Sequence, residues 1–175
     1  MIDLDTLPGL LGLPEDSATP LGHRAAIALE RRHRPGVHLT GTVQEAAVDE
    51  EIRWRARTLG AVAYEDINRV TEEGAEAIGL ALACSRCSWR VERRLQARLA
   101  EGADWLMLDP STGSTMVLEI GGTDEQDLTA LLARKVSQAR RSPFAERGTP
   151  AACVVRFLEP SVKLWVDDGP RRAEP

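Results

Sequence analysis

Cysteine, long apolar runs and a basic apolar leader are all scarce or missing in this sequence. The chain holds three cysteines, which is too few for a disulfide framework and typical of a reducing compartment. No apolar run approaches the roughly 20 residues that a membrane-spanning helix needs. The segment from Met1 to Asp5 is acidic, whereas an export signal starts with basic residues. These absences predict a soluble, cytoplasmic protein with no membrane association.

Two of the cysteines, Cys84 and Cys87, have CxxC spacing. A structural zinc site usually needs a second pair of ligands. The third cysteine, Cys153, and the three histidines form no paired motif that could supply one. Zinc is therefore not expected, and we interpret Cys84 and Cys87 as small, half-buried thiols at a helix end.

Lysine is also rare, because only Lys135 and Lys163 among the 22 basic residues are lysines. The formal net charge of −5 disfavours indiscriminate binding to nucleic acid, which needs a positive surface. Net charge says little about a local site, however. Any mechanism that needs an ammonium group therefore depends on one of these two residues.

The length of 175 residues and the 43% hydrophobic content suit one principal folded domain. Six glycines and prolines interrupt residues 1–22. We interpret residues 1–36 as a loosely ordered arm with a short helix at 23–34, available to a protein partner. Residues 1–20 are expected to bury little against the core. Residues 37–168 are expected to form the domain, and residues 169–175 a frayed tail.

Hydrophobic periodicity predicts an α/β fold with the core order helix, three strands, helix, strand. Thr71 is a plausible N-cap for the first helix. A short helix and a hairpin precede this αβββαβ core as an N-terminal extension. The predicted helices cover 72–84 and 124–141, and the predicted strands cover 37–43, 52–56, 88–96, 103–108, 115–120, 151–157 and 162–166.

The hairpin between the second and third core strands brings two carboxylates together. If Asp109 and Ser114 close its turn, antiparallel pairing places Asp104 directly opposite Glu119 on the same face. Facing carboxylates repel each other, and a bound divalent cation is the simplest compensation. Oxygen ligands of this kind suit Mg²⁺ or Mn²⁺. The alternative is a register one residue away, with either carboxylate solvated at a strand end.

This pattern resembles the PD-(D/E)xK nuclease superfamily, whose fold is restriction-endonuclease-like. The resemblance is carried by the αβββαβ order, by Gly102-Ala103-Asp104-Trp105-Leu106-Met107 on one strand and by Val117-Leu118-Glu119-Ile120-Gly121 on the next. It covers about half of the chain. The Glu-x-x-Gly strand end is also similar to a group of uncharacterised small bacterial proteins.

The resemblance implies that Asp104, Glu119 and the Ile120 carbonyl bind a metal ion, Mg²⁺ or Mn²⁺. The superfamily's usual lysine position, two residues after the glutamate, is Gly121 here. Some members place the lysine on the following helix, which makes Lys135 a candidate; the alternative is an ordinary solvated helix lysine. Related nucleases also use a glutamate on the first core helix. Glu73 and Glu76 are available and Glu76 is the candidate; the alternative is an ordinary solvent-facing helix glutamate.

Arginines are available to contact a phosphate backbone. Arg90 and Arg94 share one strand face by parity, and Arg134 and Arg140 lie on the later helix. Such charges also occur on ordinary solvated faces. No platform of aromatic residues for base stacking is expected.

The absence of lysine at Gly121 leads us to predict a non-catalytic or weakly catalytic subunit for binding or assembly, with a bacterial defence system as one setting. The alternative is an active Mg²⁺- or Mn²⁺-dependent nuclease that hydrolyses DNA or RNA, which the opposed carboxylates and Lys135 favour. The observation that separates them is whether Asp104, Glu119 and the Lys135 ammonium converge.

Overall fold

The structure, a computed structural model, describes residues 1–56, 66–95 and 104–167. These residues form a mixed α/β fold with one eight-stranded sheet and four α-helices. No helix within these three ranges is long and apolar enough to cross a membrane. The strands are β1 (Ile2–Asp3), β2 (Val37–Val43), β3 (Ala46–Arg53), β4 (Arg90–Arg94), β5 (Trp105–Leu108), β6 (Thr115–Thr123), β7 (Thr149–Arg156) and β8 (Ser161–Val166), and the helices are α1 (Leu7–Leu11), α2 (Glu15–Glu30), α3 (Ile67–Arg86) and α4 (Leu128–Arg141).

The strands lie in the order β1-β3-β2-β8-β7-β6-β5-β4. From β4 to β8 each strand neighbours the next one along the chain, and α4 makes the crossover between the parallel strands β6 and β7. Helices α3 and α4 cover opposite faces of β6, because Gly79 of α3 lies against Ile120 while Lys135 of α4 lies against the adjacent Gly121. The predicted core strands therefore belong to one sheet with helices packed on it, as expected from the sequence.

The start of α3 differs from the sequence prediction. The helix begins at Ile67, where the Asp66 side chain accepts a hydrogen bond from the Arg69 backbone N–H at 3.1 Å. Thr71, the predicted N-cap, is buried one turn inside the helix. Asp66 is itself a good capping residue, and the apolar pattern extends back through Val70. Residues 96 and 103, which the sequence places in strands, lie outside the described ranges.

The prediction that residues 1–20 bury little against the core is wrong. Ile2 and Leu7 are fully buried, and Leu4 and Leu11 nearly so, all within the main hydrophobic cluster. Strand β1 also pairs in parallel with β3 at the edge of the sheet. This segment is part of the fold rather than a loosely ordered arm.

The predicted helix at 23–34 is also misplaced, because α2 runs from Glu15 to Glu30. Pro20 lies inside this helix, where a proline removes one backbone hydrogen bond without always ending the helix. Gly22 serves close packing, since a Cβ at this position would lie 2.5 Å from the Leu4 carbonyl oxygen. Gly22 permits contact between elements and Pro20 does not end the helix, whereas the sequence interpretation took both as chain breakers.

Candidate active site

The β5–β6 hairpin has the register expected from the sequence. The Asp109 N–H donates to the Ser114 carbonyl at 2.8 Å and closes the turn. The last bridged pair is Trp105 with Leu118, and the Asp104 N–H donates to the Leu118 carbonyl at 3.0 Å. Asp104 therefore lies one residue beyond the ladder, across from Glu119.

Asp104 and Glu119 are each held by a different group. One oxygen of Asp104, Oδ2, accepts from the Ile120 backbone N–H at 2.8 Å. Glu119 Oε1 accepts from Lys135 Nζ on α4 at 2.6 Å, and the two side chains are only 4% and 16% exposed. The other glutamate oxygen, Oε2, is buried and has no hydrogen-bond partner among the described residues. The site thus retains a carboxylate oxygen that could bind a further cation.

Gly121 explains how Lys135 reaches Glu119. The two residues Glu119 and Gly121 face the same side of β6 because side chains alternate along a strand. A Cβ at Gly121 would lie 2.6 Å from Lys135 Cε and 3.3 Å from its Cγ. The aliphatic stem of Lys135 therefore occupies the space that a side chain at position 121 would fill.

A third carboxylate, Glu76 on α3, adjoins this group. Glu76 is buried, and its Oε1 accepts from an Arg94 guanidinium nitrogen at 2.9 Å. The buried Trp105 indole N–H interacts with the same carboxylate and acts to lower its pKa. The Arg94 guanidinium also lies 5.5 Å from the centre of the Trp105 ring. An arginine of β4 thus holds Glu76 on the α3 face of the sheet, within range of the charge of Asp104.

Burial dominates the acid–base properties of the three carboxylates. It raises the pKa of Glu119 to about 7, the charge of Asp104 raises it further, and Lys135 opposes both effects. Burial likewise raises the pKa of Glu76 to about 7 against the opposing effect of Arg94, and Asp104 adds to the increase. The pKa of Asp104 is raised by burial and lowered by its bond to Ile120 and by Lys135. Glu119 and Glu76 therefore lose their protons only near neutral pH, where burial opposes the negative charge of each.

These shifts predict a loss of stability between about pH 4.5 and 7. In that window the folded protein keeps protons on Glu119 and Glu76 that the unfolded chain has lost, so the free energy of unfolding falls as pH rises. Glu119→Gln removes one of the two groups. At pH 8 this variant should be more stable than wild type by about 1–3 kcal/mol, because Lys135 keeps Asp104 as a counter-ion.

Urea unfolding at pH 5 and pH 8 measures this effect. The difference between Glu119→Gln and wild type should shrink towards pH 5, where the wild-type glutamate is protonated. The control is Glu125→Gln, which changes a glutamate whose side chain is 70% exposed and should give no such pH-dependent difference. An equal effect of both variants, or a less stable Glu119→Gln protein at pH 8, would contradict the assigned electrostatics.

The adjacent glycines on β6 are expected to respond differently to alanine. At Gly121 the new Cβ meets the flexible end of Lys135, so Gly121→Ala should displace the ammonium from Glu119 and leave the fold nearly intact. At Gly122 it would lie 2.3 Å from the Thr71 carbonyl oxygen, a backbone atom of α3. Gly122→Ala should therefore cost about 1–3 kcal/mol or more through overpacking.

Urea unfolding of the two alanine variants at pH 5 and pH 8, as described above for Glu119→Gln, tests this contrast. Gly121→Ala should shift the pH dependence while Gly122→Ala lowers stability at every pH. Similar losses of stability in both variants would show that Lys135 is not the group accommodated by Gly121.

The predicted basic rim is not formed as expected. Arg90 pairs with Leu108 and Arg94 pairs with Trp105, and those two partners are three residues apart. Because cross-strand partners share a face, Arg90 and Arg94 point to opposite faces. In a regular strand Arg90 and Arg94 would share a face, because side chains alternate. A β-bulge between Val91 and Arg93 breaks that alternation.

The bulge reveals an arginine that the sequence interpretation missed. Arg93 pairs with Leu106, two residues from Asp104, so Arg93 and Arg90 face the side of the sheet that carries Asp104 and Glu119. Arg93 is exposed. A single register shift in an edge strand leaves no mark on the amino-acid pattern, so no sequence signal identified it.

The two predicted arginines of α4 have separate surroundings. Arg140 binds Asp167 at 3.0 Å and lies 4.9 Å from the centre of the Trp165 ring. Arg134 is exposed on the same helix, next to Lys135. Arg134 thus remains a candidate phosphate contact, while Arg140 is engaged in a local cluster.

Within the three described ranges, no group of three or more His, Cys, Asp or Glu side chains is arranged to hold a metal ion. A cation at the present site would instead be bound by two carboxylates, Asp104 and Glu119, together with a backbone carbonyl such as that of Ile120. Such oxygen donors suit Mg²⁺ or Mn²⁺, and the unpartnered Oε2 of Glu119 fits this role. The three cysteines are free thiols, and burial raises the pKa of Cys84 and Cys87 to about 11.

Comparisons with protein-family models, curated proteins and solved structures find no match. The functional argument therefore depends on the fold and on the geometry of this site.

Proposed function

We propose that this protein has a PD-(D/E)xK nuclease core and hydrolyses phosphodiester bonds of DNA or RNA with Mg²⁺ or Mn²⁺. The element order α3-β4-β5-β6-α4-β7 supports this assignment, since it is the αβββαβ order of that superfamily. The consecutive placement of β4, β5, β6 and β7 in one sheet supports it further.

The observation that carries the proposal is the position of Lys135. Its ammonium lies 2.6 Å from Glu119 Oε1, and its stem crosses the backbone at Gly121. The superfamily lysine would project from that strand position. A lysine from α4 thus supplies an ammonium at the same place, and a glycine at 121 is what makes room for it.

The side chains have separable roles in this proposal. Asp104, Glu119 and the Ile120 carbonyl would hold the cation, which supplies charge stabilisation to the phosphate and activation of a water. Lys135 orients the attacking water and offsets negative charge that develops on the phosphate. The Ile120 N–H fixes the Asp104 carboxylate, and Arg94 holds Glu76 on the α3 face of the sheet.

A non-catalytic subunit for binding or assembly is the second candidate. The observation that favours it is the 4% exposure of the Glu119 side chain, since a nuclease must admit its substrate to the metal ligands. In that case the Glu119–Lys135 ion pair has only a structural role. A bacterial defence system is one setting in which such a subunit could act.

A cation that binds these carboxylates should stabilise the folded protein. With Mn²⁺ at about 100 times its dissociation constant, the gain is about 2.7 kcal/mol by mass action. The expected result is a raised melting temperature for wild type at pH 8 and little or no change for Glu119→Gln, which lacks a charged ligand.

Thermal melts with Mn²⁺, Mg²⁺ and a chelator measure this response. Glu125→Gln is the matched control and should respond like wild type, because its exposed side chain lies outside the site. If neither cation changes the melting temperature of wild type or of Glu119→Gln, the metal site is refuted. If a cation stabilises both proteins equally, it binds elsewhere.

A further inference from the structure

A pocket of about 370 Å³ lies between α2, α3 and the start of β5. It is formed on the α3 side of the sheet, where Trp105 contributes to its lining. Trp105 follows Asp104 directly, so the two side chains point to opposite faces. The pocket is therefore separate from the space between Glu119 and Lys135.

Three guanidinium groups from three different elements line this pocket: Arg24 of α2, Arg69 of α3 and Arg94 of β4. The Glu73 carboxylate is bound by Arg24 and by Arg69, the latter at 2.7 Å. Two of these arginines thus already hold an oxyanion of the protein between them. Guanidinium groups recognise phosphate and carboxylate oxygens through paired N–H donors.

The rest of the lining is mixed: Leu13, Pro20 and Leu21 are apolar, whereas Asp16 and Ser17 are polar and exposed. Buried beneath Arg94 is the Trp105 ring, whose centre lies 5.5 Å from the guanidinium carbon. A ligand that suits both halves of the pocket combines an anionic group with an apolar or aromatic body.

We propose that this pocket binds a phosphate monoester of mononucleotide size, with its phosphate at Arg69 and Arg94 and its ring against Pro20 and Leu21. A phosphate presents three oxygens to donors that approach from several directions, which matches guanidinium groups on separate elements. The pocket requires neither metal nor cleavage. It shares Arg94, which is paired with Glu76 at 2.9 Å, with the candidate active site, and the test therefore uses Arg69.

Isothermal titration calorimetry of the full chain without divalent metal tests the proposal with thymidine monophosphate, thymidine and inorganic phosphate. The monophosphate should bind at least about tenfold more tightly than either fragment. Arg69→Gln should weaken its binding by about tenfold or more, because a charge-assisted contact is lost. Glu73→Gln should tighten binding, because it removes the carboxylate that competes for Arg24 and Arg69.

Arg53→Gln is the control, since Arg53 is similarly exposed (56% against 63% for Arg69) and lies on β3. It should leave binding unchanged.

A further experiment compares the binding of oligonucleotides with 5′-phosphate and 5′-hydroxyl ends. Selective binding of the phosphorylated strand identifies a strand end as the ligand, and binding of the free nucleotide alone identifies a small molecule; both uphold the proposal. Equal binding of thymidine and its monophosphate, or wild-type affinity in Arg69→Gln, would overturn it.

Discussion

Deletion of residues 1–13 is expected to remove most or all of the stability of the protein. The segment contributes Ile2, Leu4, Leu7 and Leu11 to the main hydrophobic cluster, with no side chain more than 3% exposed. Burying a side chain of this size contributes about 1.5–3 kcal/mol, so four contribute roughly 6–12 kcal/mol. The total stability of a typical protein is about 5–15 kcal/mol. The truncated chain should therefore lack a cooperative unfolding transition in thermal and urea denaturation.

Two leucines of α1 provide a matched test that keeps the chain length unchanged. Leu7 is fully buried, whereas Leu10 is 37% exposed. Leu7→Ala should lower the free energy of unfolding by about 2–5 kcal/mol, because it removes buried methyl groups and leaves a cavity. Leu10→Ala should cost about 1 kcal/mol or less. Equal, small losses in the two variants and an unchanged melt of the truncated chain would show that the segment does not belong to the core.

Lys135→Ala is expected to lower metal-dependent cleavage of nucleic acid by about 10²- to 10³-fold, the usual effect of losing one group that stabilises charge in a transition state. The ammonium lies 2.6 Å from Glu119, which places it among the proposed metal ligands. Lys163→Ala is the matched control, because Lys163 is the only other lysine in the sequence and donates to Thr129 Oγ1 in the first turn of α4. That variant should cleave at the wild-type rate.

The measurement is the initial rate of cleavage of labelled single- and double-stranded DNA and RNA with Mn²⁺ or Mg²⁺. Glu119→Gln should be as impaired as Lys135→Ala, since both belong to one site. Equal rates in wild type and Lys135→Ala would exclude Lys135 from the chemistry. Equal residual rates in wild type and Glu119→Gln would identify a contaminating nuclease.

The fold of the core could be predicted because its segments carry clear periodic patterns. Val37–Val43 was located to the residue, and β7, β8 and α4 within a few residues. The N-terminal segment could not, because its leucines belong to short elements separated by glycine and proline. Gly22 is needed for contact with Leu4, and such tertiary contacts leave no periodic signal.

The candidate site was partly predictable for a similar reason. The turn closed by Asp109 and Ser114 fixes the register, and the register brings Asp104 and Glu119 together. The placement of Lys135 depends on how α4 packs over Gly121, which the sequence alone does not determine. The grouping of Arg94 with Glu76 depends on a bulge in β4 that shifts the faces of the strand.

The central claim is that Lys135 replaces a lysine at position 121, and moving the lysine tests it most directly. Lys135→Ala removes the stem that a Cβ at Gly121 would meet, so Gly121→Lys becomes sterically possible in that background. We expect wild type to cleave and Lys135→Ala to lose about 10²- to 10³-fold in rate. Gly121→Lys combined with Lys135→Ala should then recover at least about tenfold of that loss. A double variant that folds but cleaves no faster than Lys135→Ala, or a wild-type protein that cleaves nothing with either metal, would contradict it.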